Sequence, residues 1–285
     1  MSISRSLYVS DLDYTLLDAS GYLSDRSLAA LSRWIGEGLQ FTVASARAPT
    51  SIREGLRGLP LTLPVISMNG ACITDLASGR HLEIRSLTRE LAQTLLDELT
   101  GAGLNPLIIS SDGEHDAVRF TALANAGITG YVRDRQALGD TRLRLDEAPE
   151  CALDETVIGL TLILEAARAG AAVALLRERH GERIQCMHMT ATHQPGFHWI
   201  SITAPGVNKG SALARLRERC GANVSVFAYG DDVQDVSLLT AADRAVAVAN
   251  AKPAVRAVAH EHTEAHHEDG VVRHIARRLG HALGI

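Results

Sequence analysis

A chain of 285 residues with 46% apolar but only 4% aromatic content is long enough for one large domain and a smaller one, around cores of Leu, Val, Ile and Ala. Its formal charge of −5 argues against a nucleic-acid-binding surface, and no window reaches the roughly 18 apolar residues of a membrane span. The cysteines, Cys72, Cys151, Cys186 and Cys220, lie far apart with no C-x-x-C pattern, which indicates neither a zinc site nor a disulfide framework.

Leu7 to Ser10 is a short run of β-formers that delivers two carboxylates, Asp11 and Asp13, into a turn-like segment. No basic-then-apolar leader precedes it, so a soluble cytoplasmic protein is expected. Ser24 or Asp25 can cap a helix whose Leu28, Leu31, Trp34 and Ile35 share a face, with Gly36 and Gly38 ending it. Leu39 to Ala44 reads as a strand that ends in Ser45-Ala46-Arg47. Pro49 then opens a second helix from a favoured first-turn position. Leu63 to Met68 is a third strand, running into Asn69-Gly70-Ala71. This alternation predicts a parallel sheet with right-handed crossovers, and ligands bind such sheets at the C-terminal strand ends.

From about residue 80 the rhythm changes. Ile73 and Leu82 to Ile84 suggest a hairpin leading out of the sheet, and Thr88 caps a helix through Leu91, Leu95, Leu96 and Leu99. Strands are expected at Leu104 to Ser110, Ala117 to Phe120, Leu143, Val157 to Leu164 and Ile184 to Met189. Helices are expected over 121–134 and from Ala166 to His180. This is a separate α+β module over 81–200, inserted into a core made of 1–80 and 201–285. The core then resumes with Lys209-Gly210 before a helix, a strand Val224 to Tyr229 running into Gly230-Asp231-Asp232-Val233-Gln234-Asp235, and a strand Ala245 to Val248 followed by Asn250-Ala251. Pro253 starts another helix, and Gly270 to Leu283 is the closing one. The fold class expected is therefore α/β, a Rossmann-like parallel sheet with helices on both faces and an α+β insert.

Residues i and i+2 of a strand point the same way, so Asp11 and Asp13 can approach one small ligand, although alone they read equally as two solvated acids at a strand end. Two like charges that close need a shared proton or a cation. Ser45, Lys209, Asp231 and Asp235 fall at other strand ends or helix starts of the same sheet. Together they suit phosphoryl transfer, which needs a nucleophile, a proton donor and positive charge on the equatorial oxygens. Asp11 can attack, and Asp13 can protonate the leaving alcohol and then activate water. Lys209 and Mg2+ offset the phosphate charge, while the Ser45 hydroxyl and backbone N–H groups nearby, such as that of Ala46, hold it. Mg2+ takes hard oxygen ligands, which Asp11, Asp231 and waters can supply.

These motifs, Asp11-Leu12-Asp13-Tyr14-Thr15-Leu16-Leu17, Ser45-x-Arg47, Asn69-Gly70-Ala71, Lys209-Gly210 and Gly230-Asp231-x-x-x-Asp235, resemble the haloacid dehalogenase superfamily. More narrowly the chain resembles its Cof-type sugar-phosphatase branch with an α/β cap. Ala247-Val248-Ala249-Asn250-Ala251 and Glu268-Asp269-Gly270-Val271 extend the likeness to nearly the whole chain. The resemblance implies Asp11 as nucleophile, Asp13 as acid/base and Asp231 as a metal ligand. It also implies Asp13 binding metal through its backbone carbonyl and Asp235 orienting that shell through water. The usual Gly after the second acid is here Tyr14, Thr-Gly-Arg is Ser45-Ala46-Arg47, and Gln234 replaces an Asn. None of these removes a group the chemistry requires.

The expected activity is a Mg2+-dependent phosphatase acting on a small phosphorylated metabolite, most readily a sugar phosphate, with no nucleic-acid or membrane partner. Specificity falls to the cap, whose Ser110 to Glu114 turn (Asp112) and His188 to His198 segment (His188, His193, His198) carry polar groups suited to a sugar. Arg47, Asn69 and Asn250 are further candidates at the phosphate or substrate. Asp232 reads as solvated or capping, and His260, His262, His266 and His267 as a solvated loop rather than a metal site. The alternative is a signalling or non-catalytic phospho-ligand binder on the same fold. A phospho-acceptor signalling domain would be about half as long and lack the insert, and retention of Asp13 favours turnover.

Overall fold

A computed structural model describes residues 6–190, 194–221 and 224–281. The chain divides into two compact units, Met1–Glu83 with Asn208–Ile285, and Ile84–Val207.

The first unit opens with the expected alternation: β1 (Ser6–Ser10), α1 (Asp25–Gly36), β2 (Gln40–Val43), α2 (Pro49–Gly55) and β3 (Val65–Ser67). Ser24 is the cap of α1, its hydroxyl accepting the Ser27 N–H, and the helix buries Leu31, Trp34 and Ile35. Pro49 occupies the first turn of α2, where its missing N–H costs nothing. After β3 a single 3-10 turn, Met68–Gly70, leads into β4 (Cys72–Thr74) and β5 (His81–Ile84), which form a three-stranded sheet with β3.

The second unit contains α3 (Arg89–Gly101), β6 (Leu107–Ser111), β7 (Asp116–Phe120), α4 (Ala126–Ala137), β8 (Leu143–Leu145), β9 (Thr156–Glu165), α5 (Ala166–His180), β10 (Gln185–Thr190) and β11 (Phe197–Thr203). Its six-stranded sheet has the order β10-β11-β9-β6-β7-β8. On one face Leu91, Leu95, Leu96 and Leu99 of α3 and Val173 and Leu176 of α5 pack on Leu160, Leu162, Leu164, Ile200 and Ile202. On the other, Ile128 and Val132 of α4 meet Leu107, Val118, Phe120 and Ile163. The alternation of Leu162, Ile163 and Leu164 between these clusters is the period-two pattern of a strand buried on both faces. Two expectations need correction. The helix placed at 121–134 begins at Ala126, because Asn125 accepts the Ile128 N–H as its cap. The boundary set at 200/201 cuts β11, which is paired along its length with β9 and β10. The whole strand therefore belongs to the insert, and the division falls at 207/208.

The first unit resumes with α6 (Lys209–Cys220), β12 (Ser225–Gly230), α7 (Val236–Ala241), β13 (Arg244–Val248), α8 (Pro253–Val258), β14 (Glu261–Thr263) and α9 (Gly270–Leu279). Lys209 is the first residue of α6 rather than preceding it, since Asn208 caps the helix through the Ser211 N–H at 2.8 Å. The polar segment expected as a loop contains β14, which pairs with β13 from Val246↔Glu261 to Val248↔Thr263. The closing helix ends at Leu279 on a left-handed Gly280, and 282–285 lie outside the described residues. No described helix is long and apolar enough to cross a membrane.

The core sheet has the order β14-β13-β12-β1-β2, every pairing parallel, and an Ala44↔Ile66 bridge carries it on towards β3. From β1 the chain steps outward through β2, and from β12 it steps outward the other way through β13 and β14. The strand order thus reverses between β1 and β12, the switch point where the loops leaving neighbouring strands part and open a crevice at their C-terminal ends. Asp11 follows β1, and Asp231 follows β12.

Candidate active site

The Asp11 N–H donates to the Tyr229 carbonyl at 3.0 Å, which extends the β1–β12 ladder one residue and fixes the carboxylate at the crevice. Beyond it, the N–H groups of Thr15, Leu16 and Leu17 all close on the Leu12 carbonyl. That tight coil puts Tyr14 at φ 57, a left-handed conformation that glycine adopts freely and a tyrosine adopts at a cost of about 1–2 kcal/mol. The loop braces the strained residue. Asn250 Nδ2 donates to the Tyr14 carbonyl at 2.8 Å, Asn250 Oδ1 accepts the His266 N–H at 3.1 Å, and the Tyr14 ring meets His266 edge-on at 5.6 Å. Ala46 has no positive φ, so alanine is tolerated there without strain.

Lys209, at the start of α6, reaches back into the crevice with its ammonium 2.5 Å from Asp11 Oδ1 and 2.7 Å from Asp235 Oδ1. The other Asp235 oxygen accepts the N–H groups of Asp231 and Asp232, each at 3.0 Å. Asp235 therefore clamps both the lysine and the loop after β12. Gly230 makes this possible, because an added Cβ there would lie 2.4 Å from the Asp235 Cβ. Thr15 Oγ1 donates to Asp231 Oδ1 at 2.9 Å. Sequence reasoning assigned Thr15 no role, although it stands in the Asp11-to-Leu17 run.

Asp11, Asp231 and Asp235 each offer a carboxylate oxygen within 4.8 Å of the others, and all three residues are buried. Burial, and then the neighbouring Asp235 charge, push the Asp11 carboxyl well above the usual range. The same two causes push Asp231 up to about 6. Burial acts to lower Lys209, but the Asp11 and Asp235 carboxylates outweigh it and hold the amine protonated, above its ordinary value. Three carboxylates against one ammonium leave excess negative charge in a buried space. Asp11 and Asp231 each engage only Oδ1, and their Oδ2 atoms accept no hydrogen bond among the described residues. Hard oxygen donors with uncompensated charge fit a small divalent cation.

Ser45 is buried past the end of β2, with its N–H on the Ile66 carbonyl at 2.9 Å and its Oγ accepting the Arg47 N–H at 3.1 Å. It does not cap α2, whose cap position is Ala48. The Asn69 N–H donates to the Ser45 carbonyl at 2.9 Å, tying that turn to the same strand end. Asp13 stands apart from the buried carboxylates. Its side chain is 47% exposed, and it pairs with Arg47. Asp232 caps the following turn and pairs with Lys252 at 2.7 Å.

The remaining candidates belong to other elements. Asp112 uses Oδ1 to accept the Glu114 and His115 N–H groups, shaping the β6–β7 turn in the second unit. His188 and His198, also there, hold their ring nitrogens 2.7 Å apart, and His193 lies outside the described residues. His260 accepts the Ala245 N–H at 2.9 Å, so it supports the β13–β14 edge.

Residues 8–275 match the family described as haloacid dehalogenase-like hydrolases. Among curated relatives, a Bacillus subtilis 5-amino-6-(5-phospho-D-ribitylamino)uracil phosphatase, YitU, is 25% identical over 282 residues, covering 96% of this chain and 97% of that one. The Escherichia coli pyridoxal phosphate phosphatase YbhA is 27% identical over 257 residues, covering 87% and 89%. A solved haloacid dehalogenase-like hydrolase from Bacteroides thetaiotaomicron superposes with a TM-score of 0.76 at 23% identity, over 96% of this chain and 99% of that one.

Proposed function

Because the chain belongs to the haloacid dehalogenase-like hydrolases, we propose that it is a Mg2+-dependent phosphatase, a phosphoric monoester hydrolase that acts on a small phosphorylated metabolite through an aspartyl-phosphate. The observation that carries this reading is the buried Asp11–Lys209–Asp235 bridge with Asp231 alongside, at the switch point of a parallel sheet. Asp11 Oδ2 is the attacking oxygen. It forms a bond to phosphorus as the ester P–O bond breaks, and the Asp13 carboxyl gives its proton to the departing oxygen. Water then attacks phosphorus, Asp13 takes its proton, and the Asp11–phosphorus bond breaks. Lys209 and the Ser45 hydroxyl hold the phosphoryl oxygens, together with backbone N–H groups of the Ala46 and Asn69 turns.

Asp11 and Asp231 would hold Mg2+ with the Asp13 carbonyl, and Asp235 keeps that loop in place. When bound, the ion supplies positive charge against the phosphate oxygens. The linkage gives a direct check. Asp231 has a folded value of about 6 against an unfolded 3.8, so without metal the fold loses stability as pH rises between them, on the order of 3 kcal/mol from this group. Ionised carboxylates above that window are what a cation relieves. Mg2+ is therefore expected to raise the melting temperature more at pH 8 than at pH 5, and equal shifts at both would contradict the assignment.

The named relatives act on a ribitylamino-uracil phosphate and on pyridoxal phosphate, so the substrate panel must include ring-bearing phosphates beside the sugar phosphates. The inserted unit, residues 84–207, is the natural reader of the leaving group, since chemistry at phosphorus is the same for every ester. The test is phosphate release from this panel with Mg2+ and with EDTA. Release that requires Mg2+ supports the reading and ranks the substrates. No release from a folded protein that binds Mg2+ would turn the assignment towards a phospho-ligand binder.

A further inference from the structure

Asp13, the acid/base of the reading above, is held among the described residues by one side chain, that of Arg47. Arg47 donates from Nε to Asp13 Oδ2 at 3.0 Å and from Nη2 to Asp13 Oδ1 at 2.5 Å, the two parallel bonds of a guanidinium fork on a carboxylate. The third nitrogen, Nη1, lies 3.4 Å from the Gly21 carbonyl and 3.4 Å from the Ser51 carbonyl. The fork sits in a slot made by missing side chains. A Cβ on Gly55 would lie 2.8 Å from Nη1, and one on Gly21 would lie 3.1 Å from Nη2. The backbone of Arg47 is fixed as well, its N–H on Ser45 Oγ at 3.1 Å and its carbonyl accepting the Met68 N–H at 3.0 Å. Every guanidinium nitrogen is thus committed to the protein itself.

We infer that Arg47 is a positioning residue for Asp13: it sets the plane and rotamer of a half-exposed carboxyl that would otherwise turn freely, and it makes no contact with the phosphate. The inference rests on the phosphatase reading. In the first half-reaction the Asp13 proton must reach the oxygen leaving phosphorus. In the second, Asp13 must accept a proton from the attacking water. Both transfers need the carboxyl within hydrogen-bond reach of a small volume, and a side chain free to rotate spends little time there.

This has a signature that a phosphate contact or a general loss of structure lacks. p-Nitrophenolate leaves phosphorus without a proton, whereas an alkoxide needs one. kcat/KM reports events up to departure of that group. In Arg47→Met and Arg47→Lys, kcat/KM for the most rapidly hydrolysed alkyl phosphate of the panel is expected to fall by roughly 10–100-fold, while that for p-nitrophenyl phosphate falls by at most about threefold. Over the same variants kcat for p-nitrophenyl phosphate should drop, because hydrolysis of the aspartyl-phosphate still needs Asp13 as base. Gly55→Ala keeps the guanidinium charge but crowds it out of its slot, and it should give the same split in milder form. Melting curves for each variant establish that it is folded. Equal losses on both esters would overturn the inference and make Arg47 a phosphate contact or a purely structural residue; unchanged kinetics would overturn it too. If the wild type released no phosphate from either ester, the phosphatase reading itself would fail, whereas an active wild type without the split removes only the role given to Arg47.

Discussion

Asp11→Asn is expected to lower phosphate release by about four orders of magnitude or more, because an amide oxygen cannot displace an alkoxide from phosphorus. The same substitution is expected to stabilise the metal-free protein. Asp11 is buried, and its carboxyl is pushed well above the ordinary range by that burial and by Asp235. A group whose folded value lies above its unfolded one opposes folding once the pH is high enough to ionise it, so a neutral isostere removes a cost at pH 8 and little at pH 4. Removing that cost should raise the melting temperature in EDTA at pH 8. Activity lost with stability gained is the mark of a residue kept for chemistry. A variant that lost activity and stability together would place Asp11 among the structural residues.

Lys209→Met is expected to abolish activity and to destabilise the fold. Its ammonium bridges Asp11 and Asp235, and both bonds are buried. Deleting one partner of a buried ion pair costs about 3–5 kcal/mol, because the charges left behind are neither solvated nor paired. The orphaned carboxylates can escape that cost only by taking up protons. The fall in melting temperature should therefore be larger at pH 8 than at pH 5, roughly 10 °C at the higher pH. A pH-independent drop, or none, would mean that the lysine contributes through packing alone.

These predictions fall on residues that were visible in the sequence, and the reason is physical. Phosphoryl transfer needs its charged groups gathered at one end of a sheet, and a parallel sheet announces its strand ends by alternating apolar runs with polar breaks. Asp11, Ser45 and Asp231 follow that rule, while Lys209 is the first residue of α6. β14 escaped it because Glu261-His262-Thr263 is a three-residue edge strand with a polar sequence, held by pairing to β13 and not by an apolar stripe of its own. The insert was cut seven residues early, at 200 instead of 207, because the pattern of Trp199 to Thr203 is that of a sheet strand and nothing in it says which sheet.

Contacts that depend on empty space were equally hidden. Arg47 lies far from Gly21 and Gly55 in meaning as read along the chain, since two glycines in separate segments carry no mark that they frame one guanidinium. Thr15 is a similar case. Its bond to Asp231 joins the loop after β1 to the loop after β12, and only the parallel pairing of those strands brings the two together. The replacement of glycine by Tyr14 was visible, but its consequence was not: the backbone keeps the left-handed turn and Asn250 and His266 brace it. Asn250 thereby acquires a structural duty that its place in the chain did not suggest.

Phosphate carried on Asp11 can be trapped there. Asp13→Asn should still let p-nitrophenolate leave, since that group needs no proton, but should slow hydrolysis of the phosphorylated enzyme. Mixed with p-nitrophenyl phosphate and Mg2+, this variant is expected to release a burst of about one p-nitrophenolate per active site, and acid quenching followed by peptide mass spectrometry should find the phosphoryl group on Asp11. Turnover without a burst, or a burst with the phosphoryl group on any other residue, would contradict the account.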